Sequence, residues 1–106
     1  MSGSPGDFVE CSNGPLPRSF EPRAYFTVNR SEFALWREDA VEYLNWCDEQ
    51  GLTVLGFDLW VATQPGPTVV DGGEFEGDSS ACRKAISAGE FAGVARDSVV
   101  NIWVRR

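Results

Sequence analysis

Apolar positions between residues 33 and 47 recur at steps of three and four, which is the period of an α-helix with one buried face. They are Phe33, Trp36, Ala40, Tyr43, Leu44 and Cys47. Asn29 or Ser31 can cap such a helix by accepting a hydrogen bond from a free backbone N–H, and Glu32 favours its positive end. Gly51 is suited to end it in a left-handed conformation. The pattern therefore predicts one main amphipathic helix that begins near residue 29 or 31 and ends before Gly51.

The segment after Gly51 predicts a central β-strand, from Thr53 to Ala62. It is rich in β-branched and aromatic residues and is followed by Pro65. Strict alternation places Leu55, Phe57, Leu59 and Val61 on one face and Val54, Gly56, Asp58 and Trp60 on the other. Both faces are largely apolar, with Asp58 as the exception.

The rest of the chain predicts a meander, a short helix and a last strand. Pro65-Gly66-Pro67 and Asp71-Gly72-Gly73 are turn sequences that separate short strand candidates at 68–70 and 74–76. Asp78, Ser79 or Ser80 can cap a helix through Ser87. The last strand covers residues 99–104, with its apolar positions inward. These inward positions are Val100, Ile102 and Val104.

The predicted fold class is α+β, with the main helix and a short second helix packed on an antiparallel sheet of four or five strands. A chain of 106 residues is one domain. Residues 1–22 are punctuated by proline and glycine and predict an irregular arm with at most one short edge strand. Residues 23–106 then form the α+β core, and 24–28 could be its first strand.

Charge is distributed very unevenly, and the net charge is −7. From residue 38 to residue 82 there is no Lys or Arg among 45 residues, which carry ten carboxylates. Acidic segments of this kind are often disordered, but this one is interleaved with aromatic and aliphatic residues that need a core. The carboxylates are thus expected on a folded surface, where they would attract a basic partner and repel acidic ones.

Composition makes several functional classes improbable. Nucleic acid binding needs a basic stripe, and the nine basic residues lie mainly near the two ends of the chain. Neither a membrane-spanning stretch nor a secretory leader is recognisable, so we expect a cytoplasmic protein. Its three cysteines have no metal-ligand spacing and are expected to be reduced, although pairing of Cys11 with Cys82 stays open; Cys47 is expected to be buried.

Candidate chemistry is limited because the chain has no histidine. Asp58 could be a buried catalytic acid, or it could face water, an arginine or a partner; no second catalytic group is evident in sequence, which favours the second interpretation. Asp71, Glu74, Glu76 and Asp78 do not follow the spacing of a calcium loop, and we interpret them as a solvated or partner-facing acidic loop. We therefore predict neither a cofactor nor a bound metal.

Two further features bear on binding. Glu38, Glu42, Asn45 and Glu49 fall on one face of the predicted helix and form an acidic stripe. Trp60 shares a strand face with Asp58, and it could be either an interface anchor or part of the core.

Residues 40–60, AVEYLNWCDEQGLTVLGFDLW, followed by a Pro-Gly-Pro turn, an acidic loop and SSACRKAISAG, resemble a known group. They are similar to bacterial immunity proteins of polymorphic and contact-dependent toxin systems, in particular immunity family forty. The shared motif is a helix leading through glycine into a strand of the form apolar-Leu-Gly-x-Asp-apolar-aromatic. The resemblance covers residues 40–89 and implies a small α+β protein that binds and neutralises a cognate toxin, commonly a nuclease or another enzyme acting in the cytosol.

We therefore interpret the chain as a non-enzymatic immunity protein whose acidic surface meets a basic toxin. Two alternatives remain: a DNA-mimic or phage-type inhibitor, and a small carboxylate- or metal-dependent enzyme. The residues assigned to partner binding are Glu38, Glu42, Glu49, Asp58, Trp60, Asp71, Glu74, Phe75, Glu76 and Asp78.

Overall fold

The structure is a computed structural model, and it describes residues 8–62, 67–69, 73–87 and 98–105. Its strands are β1 (Phe8–Cys11), β2 (Gly14–Pro17), β3 (Ala24–Phe26), β4 (Phe33–Leu35), β5 (Thr53–Val61), β6 (Thr68–Val69), β7 (Phe75–Glu76) and β8 (Ser98–Arg105). The helices are α1 (Arg37–Gln50), α2 (Ser79–Ser87) and a short 3₁₀ helix at Arg18–Arg23. No helix within these ranges is long and apolar enough to cross a membrane.

The larger sheet is antiparallel and runs in the order β3-β4-β8-β5-β6. The two longest strands, β5 and β8, pair along their whole length at its centre. The short strands β6 and β7 both pair with the other edge of β5. β1 and β2 form a separate antiparallel hairpin. The predicted α+β fold, with two α-helices on an antiparallel sheet, is confirmed.

Both α-helices lie on the same face of the sheet, which we call the helix face. Ala40, Tyr43, Leu44 and Cys47 of α1 are buried there, as predicted, together with Cys82, Ala85 and Ile86 of α2. From the sheet they meet Phe57 and Leu59 of β5 and the predicted inward residues of β8. Gly51 ends α1 with φ of +70°, which is the left-handed conformation expected of a helix-ending glycine.

The start of the main helix differs from the prediction. Asn29 and Ser31 lie in the turn between β3 and β4, and α1 begins only at Arg37. Residues 33–35 form a strand in which all three side chains are buried, because Phe33 and Leu35 face the helices while Ala34 faces the other side of the sheet. Their helical spacing relative to Ala40 is therefore coincidental.

The alternation predicted for β5 is also wrong at its beginning. The pairing with β8 shifts between Val54 and Gly56, which is a β-bulge that adds one residue to β5. Val54 therefore joins Phe57 in the core, and the side chain of Leu55 is left 43% exposed. Beyond the bulge the alternation follows the prediction.

The N-terminal segment is more regular than predicted. Residues 8–17 form the β1–β2 hairpin, and Leu16 and Phe20 are buried in the same core as α1. Two prolines are compatible with β2 because a strand of a two-stranded hairpin has one edge outside the ladder, where an N–H is not required. The described part of the arm thus belongs to the folded core.

Candidate functional site

The face of the sheet opposite the helices carries the candidate site, and we call it the outer face. Asp58 and Trp60 of β5 point to it because Phe57 and Leu59 point to the helices. On β8, Asn101 pairs with Asp58 and Trp103 pairs with Gly56.

On the other side of β5, the register of β7 brings two glutamates to the same face. Phe75 is opposite Phe57, and Glu76 is opposite Gly56. Continuing this antiparallel register by one residue places Glu74 opposite Asp58, and the Leu59 N–H donates to the Gly73 carbonyl at 3.1 Å just beyond it. Three strands therefore present Glu74, Asp58 and Asn101 in one row and Glu76, Gly56 and Trp103 in the next.

Asp58 is partly buried in this arrangement. Its burial raises the pKa of its carboxyl above the ordinary value, and the neighbouring Glu74 carboxylate raises this pKa further. Both causes act in the same direction because each disfavours a negative charge at Asp58. No ion pair to Asp58, Glu74 or Glu76 occurs within the described residues.

Trp103 is held in place by a chain of hydrogen bonds. Its indole N–H donates to the side-chain oxygen of Asn101 at 2.7 Å. The side-chain nitrogen of Asn101 donates in turn to the Phe33 carbonyl at 2.8 Å. Asn101 is completely buried, so its amide orientation is fixed by these two bonds and the indole ring is oriented with it.

These groups enclose a shallow cleft of about 240 Å³. Its lining includes Asp58, Glu74 and Glu76 together with Leu55 and Trp103. Gly56 lies between Trp103 and Glu76 in the pairing and contributes no side chain, so the floor of the cleft is backbone. The cleft is thus acidic on the side of β7, and apolar where Leu55 and Trp103 line it.

Gly56 is required by the backbone at this point. Its φ is +153°, and a Cβ there would lie 2.2 Å from the Phe75 carbonyl oxygen. A side chain would therefore push β7 away from β5. The bulge, the close approach of β7 and the exposure of Leu55 all occur together at residues 55–56.

The two aromatic residues assigned to partner binding are packed against neighbouring side chains, and Phe75 also contributes to the lining of the cleft. Trp60 is only 6% exposed and packs with Ala34 and Val99 on the outer face, which favours the core alternative for this residue over the anchor alternative. Phe75 is half-buried, and its ring stacks on Phe57 with centroids 5.2 Å apart. Its ring therefore lies on the helix face, opposite to the side chains of Glu74 and Glu76.

The predicted acidic stripe on α1 is exposed but separate from the cleft. Glu38, Glu42, Asn45 and Glu49 are all exposed, and α1 covers the helix face. Glu42 is not free: Arg23 donates to it at 3.1 Å and to Asp39 at 2.7 Å. The sequence-predicted carboxylates thus divide into two groups on different faces of the sheet.

The remaining members of the assigned set have other places. The Asp78 carboxylate accepts a hydrogen bond from the Ala81 N–H at 2.9 Å and caps α2, as one of the predicted capping residues. Asp71 lies outside the described residues. Within the described residues, no group of three or more ligating side chains is arranged to hold a metal ion.

All three cysteines are free. Cys47 is buried as predicted, and burial raises the pKa of its thiol to about 12. Burial likewise raises the pKa of Cys82 to about 11. These two thiols stay protonated at neutral pH and act as small apolar groups of the core.

Trp103 and Asn101 were not identified from sequence, although a signal for Trp103 was present. Once Val100, Ile102 and Val104 are inward, alternation requires Trp103 to face outward. Its proximity to Asp58 depends on the register of β5 with β8, which the bulge sets and which no local pattern reveals.

No protein-family model, no curated protein and no solved structure matches this chain. The resemblance of residues 40–89 to toxin immunity proteins therefore stays a hypothesis that rests on the motif alone.

Proposed function

We propose that this protein is an immunity protein, which binds and neutralises a basic bacterial toxin through its acidic surface. The observation that carries the proposal is the cleft on the outer face. There, Asp58, Glu74 and Glu76 lie together without an ion-pair partner among the described residues. Clustered carboxylates cost stability, and a basic partner relieves that cost on binding.

Four arginines support this proposal by their positions. Arg18 and Arg30 pair with Glu21, Arg23 pairs with Asp39 and Glu42, and Arg83 pairs with Asp48. These contacts neutralise carboxylates near the 3₁₀ helix and between α1 and α2. Among the described residues, no ion pair reaches the carboxylates of the cleft or those of Glu38 and Glu49 on α1, which leaves these charges to a partner.

The two acidic groups suit different parts of one binding process. Exposed charges such as Glu38 and Glu49 mainly accelerate encounter with an oppositely charged surface, and this effect weakens with salt. A partly buried charge beside an apolar side chain, such as Asp58 near Trp103, contributes more to the lifetime of a complex. The cleft is therefore the better candidate for the centre of an interface.

Genetic context provides the direct test. We expect the reading frame next to this gene to encode a protein with a basic C-terminal domain that arrests growth when expressed in a bacterial host. Co-expression of the present protein should restore growth, and the purified pair should associate at a rate that falls steeply between low and physiological salt. A toxic domain that still arrests growth in the presence of this protein would contradict the proposal.

A second candidate function is favoured by one observation. Asp58 and Glu74 face each other, and the raised pKa of Asp58 is the property expected of a general acid. Such a carboxylate pair could act in hydrolysis of a small substrate. The cleft, however, is smaller than the roughly 300–1,000 Å³ of pockets that enclose whole ligands. A hydrolytic turnover that Asp58→Asn abolishes, and that survives neutralisation of the exposed carboxylates on α1, would favour the enzyme over the immunity protein.

A further inference from the structure

We infer that the cleft on the outer face receives one arginine side chain of the partner, with its guanidinium stacked on the Trp103 indole and paired to the carboxylates of Asp58 and Glu74. This inference deepens the proposed function and rests on it, since the arginine belongs to the toxin. The occupant is thus a basic side chain projecting from a protein surface.

Charge complementarity is the first reason. Asp58 is partly buried next to Glu74, and burial and this neighbour both raise its pKa. A cation placed between the two carboxylates would counteract the repulsion from Glu74 and would offset the cost of burying the charge of Asp58. Glu76, one residue pair further along the β5–β7 ladder, adds a third acceptor at the rim.

The apolar part of the lining is the second reason. Leu55 is 43% exposed at the bulge, and Trp103 is held by Asn101 with its ring edge already hydrogen-bonded. Because the indole N–H is occupied within the protein, a partner that contacts this cleft-lining ring would do so through its π-face rather than through the N–H donor. A cation over an indole face is the strongest of the cation–π pairings, and the aliphatic stem of arginine can cover Leu55.

The shape of the cleft favours arginine over lysine. A guanidinium is planar, stacks on aromatic rings and donates in two directions, whereas an ammonium is a compact and strongly hydrated point charge. Glu74 and Glu76 lie on the β7 side of the backbone floor, Trp103 lies on the β8 side, and Asp58 lies between them on β5. A planar cation can meet both sides at once. A volume of about 240 Å³ is suited to a side chain rather than to a larger ligand.

The test uses the full chain and a probe without any toxin. ¹⁵N-labelled protein is titrated with N-acetyl-arginine-N-methylamide, and the amide signal of Gly56 and the indole N–H signal of Trp103 are followed. We expect both signals to shift saturably with a millimolar dissociation constant. The citrulline analogue has the same length without the charge, and it should bind at least about tenfold more weakly.

Two variants locate the effect. Asp58→Asn combined with Glu74→Gln removes both charges with little change of shape, and we expect affinity for the arginine probe to fall at least about tenfold. Glu38→Gln combined with Glu49→Gln removes two charges from α1 and should leave that affinity unchanged. Trp103→Leu keeps the carboxylates and should weaken binding several-fold through the lost stacking.

Several outcomes would overturn the inference. These are equal binding of the citrulline probe, unchanged affinity of the Asp58→Asn/Glu74→Gln variant, and shifts that appear only at α1. Failure here is separable from failure of the proposed function. Growth rescue without arginine binding overturns the cleft inference alone, whereas arginine binding without rescue supports the cleft as a guanidinium site and counts against the toxin as its source.

Discussion

The side chain of Asn13 pairs with the backbone of Phe33 as another strand would. Its amide nitrogen donates to the Phe33 carbonyl and its amide oxygen accepts from the Phe33 N–H, both at 3.1 Å. The same nitrogen also donates to the Ile102 carbonyl at 2.7 Å, and the Asn13 carbonyl accepts from the Val104 N–H. β4 and β8 pair directly at Leu35 and Val100, and Asn13 fills the gap beyond this pair. The N-terminal hairpin is thereby fixed to the centre of the sheet.

Asn13→Ala should therefore be strongly destabilising. The change leaves the buried Phe33 N–H without its acceptor and removes two donated bonds, so we expect the free energy of unfolding to fall by roughly 2–4 kcal/mol. Chemical denaturation measures this directly. Asn29→Ala is the matched control, because Asn29 accepts bonds from Ser31 and Thr27 at an exposed turn and should cost about 0.5 kcal/mol. Similar losses in the two variants would show that Asn13 is not a structural bridge.

Gly56→Ala should disrupt the edge of the sheet that carries the cleft. Its Cβ would meet the Phe75 carbonyl oxygen at 2.2 Å in a backbone conformation that L-residues rarely adopt, so we expect a loss of roughly 2–4 kcal/mol. The control is Gly51→Ala, where φ is also positive but no atom lies within 4 Å, and about 1 kcal/mol is expected. Amide exchange of Leu59 and Gly77, which bond across this edge, reports whether β7 has separated. Unchanged protection there would contradict the proposed clash.

The differences between sequence prediction and structure have physical causes at particular residues. The apolar faces of α1 and β8 were predictable because one period holds throughout each element. Residues 33–35 were assigned to the helix because three residues are too few to distinguish the two periods. The bulge at Leu55 turns the side chain of Val54 to the face opposite the predicted one. It is required only by the pairing with β8 and the close approach of β7, which are not visible in the local sequence.

The candidate site was partly predictable for the same reason. Asp58 was recognisable as a charged residue in an otherwise apolar strand, and Glu74 was recognisable as part of an acidic loop. Their meeting, and the presence of Trp103 beside them, depend on pairing between residues far apart in the chain. Local pattern therefore indicated the charges, but it did not indicate that Trp103 is the aromatic residue whose strand position lies beside them.

Asp48 joins the two α-helices and should make stability depend on pH. Ser79 donates to its carboxylate, and Arg83 donates to it at 2.7 Å. Hydrogen bonds from Ser79 and Arg83 lower the pKa of Asp48 in the folded protein. The stabilisation is present above the pKa of the unfolded chain and is lost as pH falls through the lower folded pKa.

Because Asp48 is well exposed, Asp48→Asn should cost only about 0.5 kcal/mol at pH 7. The difference from the native protein should shrink as pH falls below about 4. Denaturation at a series of pH values measures it, and Glu49→Gln, which removes a neighbouring charge without such bonds, should show no comparable trend. A difference that stays constant down to pH 2 would exclude the ionised Asp48 as its source.

Asp58→Asn should have the opposite effect, because the folded pKa of Asp58 is raised rather than lowered. The penalty for its charge is absent below the unfolded pKa, grows as pH rises towards the folded pKa, and is complete above it. Since like charges across two strands cost roughly 0.2–1 kcal/mol, the variant should be more stable than the native protein by that amount at pH 7. The gain should disappear near pH 3. Destabilisation at pH 7 would mean that the folded protein already stabilises the Asp58 charge, and the cleft would then have no electrostatic reason to receive a cation.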